Sequence, residues 1–104
     1  MDPLPQKLLS AALRVKWDHG HAGDARAAEL IADKAPGFSP EQYAEASRLA
    51  GEMDGTAFGL ADAWFASQGK GPWPSAAELE ARHPGFAWDD YLEAVNKNIL
   101  WARK

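Results

Sequence analysis

The sequence contains no cysteine, few β-branched residues and no long apolar run. Without cysteine the chain has no disulfide framework, no thiolate metal site and no thiol nucleophile, which fits a reducing compartment. No window approaches the roughly 18 apolar residues that a membrane span needs. The first residues also lack the basic start and apolar segment of a secretory signal peptide. We therefore expect a cytoplasmic protein with no signal peptide and no membrane span.

Composition predicts a helical domain rather than a sheet. No stretch alternates apolar and polar residues for long, and alanine is abundant. The 104 residues, 46% of them hydrophobic, are enough for one domain with its own core. The formal net charge of -4 opposes loose, charge-driven binding to nucleic acid.

One pattern of residues occurs twice. The sequence Ala-Ala-Glu-Leu at 27–30 and again at 76–79 leads each time to Pro-Gly-Phe and then to a tyrosine, Tyr43 or Tyr91. The offset is 49 residues before the proline and 48 after it, which predicts that the second copy lacks one residue between the leucine and the proline. The predicted structural turns are Pro36, Gly37, Phe38 and Pro84, Gly85, Phe86.

The spacing of apolar residues predicts about five helices, near 5–17, 24–34, 40–67, 75–82 and 88–102. They make a single compact all-α bundle over 1–104, a pseudo-repeat of two helix-turn-helix-like units, about 5–53 and 57–103, that share the long central helix. The alternative is a break of that helix near Gly55. Phe38 and Phe86 are predicted to be equivalent core residues.

Capping signals and apolar stripes set these bounds. Asp24 is a plausible N-cap, and Ser39 with Gln42 and Ser75 with Glu78 match the capping box. The stripe of the last helix is predicted to contain Trp88, Tyr91, Leu92, Val95, Ile99 and Ala102, with Leu100 and Trp101 lying off it.

Three glycines, Gly51, Gly55 and Gly59, recur every four residues in the central helix. Each costs about 1 kcal/mol relative to alanine in a helix interior. Our preferred interpretation is that the central helix lies between the two copies and needs small residues on both sides. The alternative is a groove for a partner helix.

No group of residues predicts catalysis, a cofactor or a metal site. Asp18, His19, His21 and Asp24 have the donor atoms of zinc ligands, but their spacing matches no metal motif, so we interpret them as a solvated loop. The serines are explained mostly as caps, and Gly69-Lys70-Gly71 lacks the rest of a phosphate-binding loop. We therefore predict a protein that is not an enzyme.

Two alternatives concern nucleic acid. The helix, glycine turn and second helix resemble a DNA-binding motif in outline, yet the second helix begins with Trp88, Asp89 and Asp90, and acidic residues there repel phosphate. Nucleic-acid binding is therefore the less favoured hypothesis. The other alternative is an acidic neutralising protein of the antitoxin or immunity type, which would use Asp89, Asp90 and Glu93.

The five tryptophans are the best clue to function. Trp64 and Phe65 are adjacent, so they are predicted to point about 100° apart and not to share a face. Tryptophan is enriched at binding hot spots. We predict a small interaction protein that self-associates, as in a homodimer, or binds a protein partner. Its candidate interface residues are Trp73, Trp88, Leu100 and Trp101.

Overall fold

The computed structural model describes residues 3–20 and 22–102. Within these ranges the chain forms five helices and no strand, which confirms the all-α prediction. The helices are α1 (Gln6–Asp18), α2 (Asp24–Lys34), α3 (Pro40–Ala66), α4 (Ala76–Arg82) and α5 (Trp88–Ala102). The central helix α3 is continuous through Gly55, because its apolar positions keep one helical phase across the glycines.

The chain divides into two compact units, unit 1 (Met1–Gly51) and unit 2 (Glu52–Lys104). Unit 1 contains α1, α2 and the first part of α3, and unit 2 contains the rest of α3, α4 and α5. That these units form one domain, and that they arose as copies of each other, stays a prediction.

In unit 1, α1 packs on α2 and supplies half of the buried apolar residues. The side chains of Leu8, Leu13 and Ile31 are fully buried. From α3 the core of unit 1 receives Tyr43, Ala46 and Ala50. The buried apolar residues of this unit are Leu4, Leu8, Leu9, Ala11, Ala12, Leu13, Val15, Ile31, Ala35, Tyr43, Ala46 and Ala50.

In unit 2, α4 packs on α5. The fully buried Leu79 of α4 and Tyr91 of α5 are two of the largest side chains in this core. The other buried apolar residues are Met53, Ala57, Ala61, Ala76, Phe86, Ala94 and Val95. Phe86 is buried as predicted, but its counterpart Phe38 is only half-buried, so the two phenylalanines are not equivalent core residues.

The Pro-Gly-Phe turns have the same local geometry in both units. In unit 1 the Tyr43 hydroxyl donates to the Ala35 carbonyl at 2.8 Å and accepts from the Phe38 N–H at 3.2 Å. In unit 2 the Tyr91 hydroxyl donates to the carbonyl of His83 at 2.6 Å and accepts from the N–H of Phe86 at 3.1 Å. Each tyrosine therefore closes the turn that precedes its own helix.

Glycine is required in both turns because the backbone there is left-handed. The φ angles are 98° at Gly37 and 109° at Gly85, where a Cβ would strain the chain. The rings also match, with Phe38 edge-on to Tyr43 at 6.0 Å and Phe86 edge-on to Tyr91 at 5.9 Å between centroids.

The structure corrects the predicted alignment of the two copies. The residue that ends each short helix, Ala35 or His83, donates its N–H to the carbonyl of Ile31 or Leu79, at 2.8 Å in both cases. Ile31 and Leu79 are both fully buried, whereas Leu30 is half-exposed. By its hydrogen bond and its burial, Leu79 therefore has the same place before its turn as Ile31 and not that of Leu30.

The helix caps mostly follow the sequence prediction. Ser39 and Gln42 form a reciprocal capping box, with N–H to side-chain oxygen distances of 2.8 and 3.1 Å. Ser75 accepts from the Glu78 N–H at 3.3 Å. Asp24, however, is the first residue of α2 and not its N-cap, which is Gly23. Its carboxylate still suits the positive end of the helix dipole.

The glycines of α3 are not explained by close packing, which contradicts our preferred interpretation. We placed a Cβ atom on Gly51, Gly55 and Gly59 in turn. Apart from the adjacent residues and the nearby backbone of α3 itself, no atom of the described residues lies within 4 Å of it. Gly55 and Gly59 are exposed. Nothing else in the structure explains why these positions are glycine.

Candidate protein-interaction surface

The four predicted interface residues are all exposed. The exposed fractions are 56% for Trp73 and Leu100, 47% for Trp88 and 44% for Trp101. A single exposed apolar residue needs no explanation, but large side chains grouped on one surface often mark a binding site. Whether these four form a group therefore decides their significance.

The three candidates on α5 do not lie on one face. At about 100° per residue, Leu100 and Trp101 each lie more than about 100° around the helix from Trp88. Trp88 instead shares its direction with Leu92 and Ile99, which lie within about 40° of it. Leu92 is exposed and Ile99 is half-buried. We call Trp88, Leu92 and Ile99 the α5 stripe.

The three residues of the α5 stripe were predicted to lie on the apolar face of the last helix, and Trp88 was predicted in addition to be an interface residue; the structure leaves Trp88 and Leu92 exposed. The buried face of α5 is centred on Tyr91, Ala94 and Asn98. The apolar residues of α5 extend further around the helix than the face that is buried. Trp88 and Leu92, at one edge of the apolar surface, are therefore exposed to solvent. The Trp88 ring lies beside the Tyr91 ring, with 6.3 Å between the ring centroids.

Trp73 belongs to a second aromatic cluster, at the end of α3. Its ring packs edge-on against Trp64, with centroids 4.8 Å apart. Trp64 also contacts Phe65 at 4.9 Å, so the prediction that these adjacent rings diverge is wrong. The Cα–Cβ bonds of Trp64 and Phe65 point about 100° apart around the helix, yet the two rings are in contact.

The end of α3 holds this cluster in place through a Schellman motif. The Gly69 N–H donates to the Trp64 carbonyl at 3.0 Å, and the Gln68 N–H donates to the Phe65 carbonyl at 2.9 Å. Gln68 occupies the left-handed position, with φ of 57°. The Ser67 hydroxyl donates to the Trp64 carbonyl and accepts from the Gly71 N–H, both at 2.7 Å, which turns the chain toward Trp73.

The acidic start of α5 is partly structural. Asp90 is buried, and its carboxylate accepts from the N–H of Ala87 at 3.2 Å, as the acidic residue of a capping box does. Asp90 is therefore unsuited to be a contact residue of an acidic neutralising protein, as one hypothesis required. Asp89 is exposed at the same helix end, where it disfavours an approach of DNA phosphate.

A buried polar pair in unit 2 was not found from the sequence. The Asn98 amide donates to Asp54 at 2.9 Å and to the Ala94 carbonyl at 2.8 Å. Both Asn98 and Asp54 are buried, and the Asn98 carbonyl oxygen has no hydrogen-bond partner among the described residues. The available signal was Asn98 itself, a polar residue seven positions after Tyr91 and therefore on the same helix face.

A second polar contact of unit 2 joins α3 to the end of α4. Thr56 Oγ1 and His83 Nε2 are 2.8 Å apart. Burial lowers the pKa of His83, with a smaller opposing effect from Glu52 and a further lowering by Arg82. Burial also raises the pKa of Tyr91, so the phenol keeps the proton that it donates to the His83 carbonyl.

The His83 environment predicts a loss of stability in mild acid. Because its folded pKa lies below the unfolded value near 6.5, the unfolded chain binds the proton more tightly. Its contribution to stability is complete above that value and declines as the pH falls below it. We expect urea unfolding between pH 7 and 5 to show a smaller loss of stability for His83→Gln than for the original chain. If the free energy of unfolding falls equally with pH in the two proteins, His83 is not the cause.

Unit 1 contains a cavity of about 490 Å³ with a mixed lining. Lys16 and Arg48 bring positive charge to it, and Asp24 brings negative charge. The Arg48 guanidinium is already bound to Glu45 through contacts of 2.6 and 2.7 Å, which lower the pKa of that carboxyl. The cavity therefore favours no one ligand charge. Its other lining residues are Val15, His19, Gly20, Ala22, Ala27, Ala44, Ser47 and Gly51.

No group of three or more histidine or acidic side chains in residues 3–20 and 22–102 is placed to hold a metal ion. Asp18, His19 and Asp24 of the predicted loop cluster are exposed, and His21 lies outside the described residues. The DNA-binding alternative would need a basic face, for which the last helix offers Lys97, Arg103 and Lys104, and the last two of these also lie outside the described residues.

Comparison with known proteins gives no family assignment: no protein-family model, curated protein or solved structure matched this chain. Among the described residues, none of the helices has the length and apolar character to cross a bilayer.

Proposed function

We propose that this protein is a non-enzymatic interaction module that docks on a protein through the α5 stripe, and that it acts in the cytoplasm. The observation that supports the proposal is the uncovered apolar edge of α5, where Trp88 is 47% and Leu92 is 42% exposed on one helix face. The Trp88 ring lies beside that of Tyr91, with 6.3 Å between the ring centroids, and tryptophan is among the side chains most enriched at binding hot spots.

The charges around the stripe favour a protein over nucleic acid as the partner. Asp89 and Glu93 lie on the polar side of the same helix, and the whole chain carries a formal charge of -4. The acidic residues would repel a phosphate backbone there, whereas an apolar protein surface would bind favourably because both apolar surfaces are removed from water. Trp73 and Trp101 are also exposed but lie apart from the α5 stripe, and we propose them as additional contact residues for a protein partner.

Leu92 offers a direct test because the chain contains a matched control. Phe58 of α3 is an exposed apolar side chain of the same unit, 44% exposed compared with 42% for Leu92. We expect immobilised wild-type and Phe58→Ser chains to retain the same protein from a native cell extract. Leu92→Ser should retain at least about tenfold less, as expected for a residue that contributes about 1.4 kcal/mol or more to binding.

Two results would refute the proposal. One is that neither another protein nor the chain itself is retained by the wild type. The other is that Leu92→Ser retains as much as Phe58→Ser while circular dichroism shows both variants folded.

A further inference from the structure

Asn98 carries a buried oxygen atom that no described protein group satisfies. The residue is 1% exposed, and its carbonyl oxygen Oδ1 is the one buried side-chain nitrogen or oxygen of the described residues without a hydrogen-bond partner. Buried polar atoms of native proteins nearly always have a partner, because a desolvated carbonyl oxygen without a hydrogen bond is unfavourable. The Asn98 oxygen therefore requires a hydrogen-bond donor.

The orientation of the Asn98 amide is fixed by its neighbours. The amide nitrogen lies 2.9 Å from Oδ1 of Asp54 and 2.8 Å from the carbonyl oxygen of Ala94, and both of these atoms are acceptors. Rotating the amide by a half-turn would bring its own oxygen against the same two acceptors, which is repulsive. The unsatisfied atom is therefore the carbonyl oxygen and not the nitrogen.

The helices around Asn98 do not supply the missing donor. Asn98 and Asp54 both lie well beyond the first turn of α5 and α3, where the peptide N–H groups are bonded within the helix. The residues one turn away on each helix, Ala57 and Ala94, are fully buried and have only methyl side chains. These short side chains contribute no donor, and they leave more space beside the polar pair than longer ones would.

We propose that one internal water molecule is bound between α3 and α5, where it donates one hydrogen bond to Asn98 Oδ1 and the other to the Asp54 carboxylate. The amide oxygen shares a carbon atom with the nitrogen that lies 2.9 Å from Asp54. The oxygen and the carboxylate are therefore within the roughly 5.5 Å that one water can bridge. A carboxylate accepts about four hydrogen bonds, so the bond from Asn98 does not exclude the bond from the water.

A water molecule fits this position better than a metal ion does. Calcium and magnesium need about six or more oxygen ligands, and no group of three or more histidine or acidic side chains in the described part of the chain is placed to hold a metal. An internal water needs only two to four polar partners. Asn98 and Asp54 provide two, and both are buried, so the water is shielded from bulk solvent.

The test has to identify one water among several, because a chain of 104 residues is expected to hold about four internal waters. Nuclear Overhauser contacts between water and the side-chain amide protons of Asn98 in the wild-type chain report on this position alone. We expect the sign typical of a water that stays bound for longer than the protein takes to tumble. The side-chain amide of Asn96, exposed on the same helix, is the control and should show only short-lived solvent contact.

A matched pair of variants supplies the second measurement. Asn98→Leu removes the acceptor, so deuterium relaxation dispersion should count about one long-lived water fewer than in the wild type. Asn96→Leu is the same substitution at an exposed position two residues away, and it should leave the number unchanged. Circular dichroism shows whether both variants are folded.

Three results would each overturn the proposal. The first is that the Asn98 amide of the wild type shows no long-lived water contact, which is a measurement that needs no variant to fold. The second is that Asn98→Leu keeps as many long-lived waters as Asn96→Leu. The third is that the Asn98 amide signals shift when sodium replaces tetramethylammonium as the only cation, because a metal ion would then occupy the place of the water.

Discussion

Phe86→Ala is expected to lower the free energy of unfolding by about 3–5 kcal/mol, the usual cost of removing a core aromatic ring. Phe86 is buried, contacts Tyr91 edge-on and follows the left-handed Gly85. Because the total stability of a domain is about 5–15 kcal/mol, this loss is large. Urea denaturation followed by circular dichroism measures it.

Phe38→Ala is the matched control for Phe86→Ala. Phe38 occupies the same place in its turn but is half-buried, and Lys7 lies 5.7 Å from its ring centroid. Less apolar area is lost there, so we expect a distinctly smaller loss of stability. Equal losses for the two variants would show that the difference in burial between the two turns does not exist in solution.

Asn98→Leu is expected to cost about 1–3 kcal/mol, although leucine has a similar size and is more apolar. The substitution deprives the buried Asp54 carboxylate of the 2.9 Å hydrogen bond from the Asn98 amide. Desolvation of a carboxylate that loses a donor outweighs the gain from apolar contact. Equilibrium urea unfolding at pH 7 gives the difference in free energy.

A double-mutant cycle shows whether the Asp54 contact is the cause. Asp54→Ala combined with Asn98→Leu should cost less than the sum of the two single changes, with a coupling energy of about 0.5–3 kcal/mol. The exposed Glu45 and Arg48 pair serves as a control and should show much weaker coupling. Strict additivity at Asp54 and Asn98 would contradict the assignment.

Local signals in the sequence were sufficient for the helices. The bounds Asp24–Lys34 and Trp88–Ala102 agree with the prediction, as does the start of α3 at Pro40. Each of these ends depends on a few neighbouring residues, such as the Ser39 and Gln42 capping box or the proline that stops α2. Because these interactions involve only neighbouring residues, they can be predicted from the sequence without knowledge of the tertiary structure.

Contacts between distant residues were not predictable in the same way. Asp54 and Asn98 lie 44 positions apart, and Thr56 and His83 lie 27 apart. Neither pair has a spacing motif, because each depends on how one helix packs on another. The edge contact of Trp64 with Trp73 likewise depends on the path of the loop after α3.

The amino-acid sequence alone determined the all-helical class, the helix bounds, the unbroken α3 and the two Pro-Gly-Phe turns, because periodicity, capping and glycine conformation act within a few residues. Only the tertiary structure decided which part of each apolar stripe is covered. The sequence marks Trp88, Leu92 and Tyr91 as members of one apolar arc, yet burial depends on the width of the surface that packs against it. That width is a property of the assembled helices, and it leaves Trp88 and Leu92 in solvent while Tyr91 is buried.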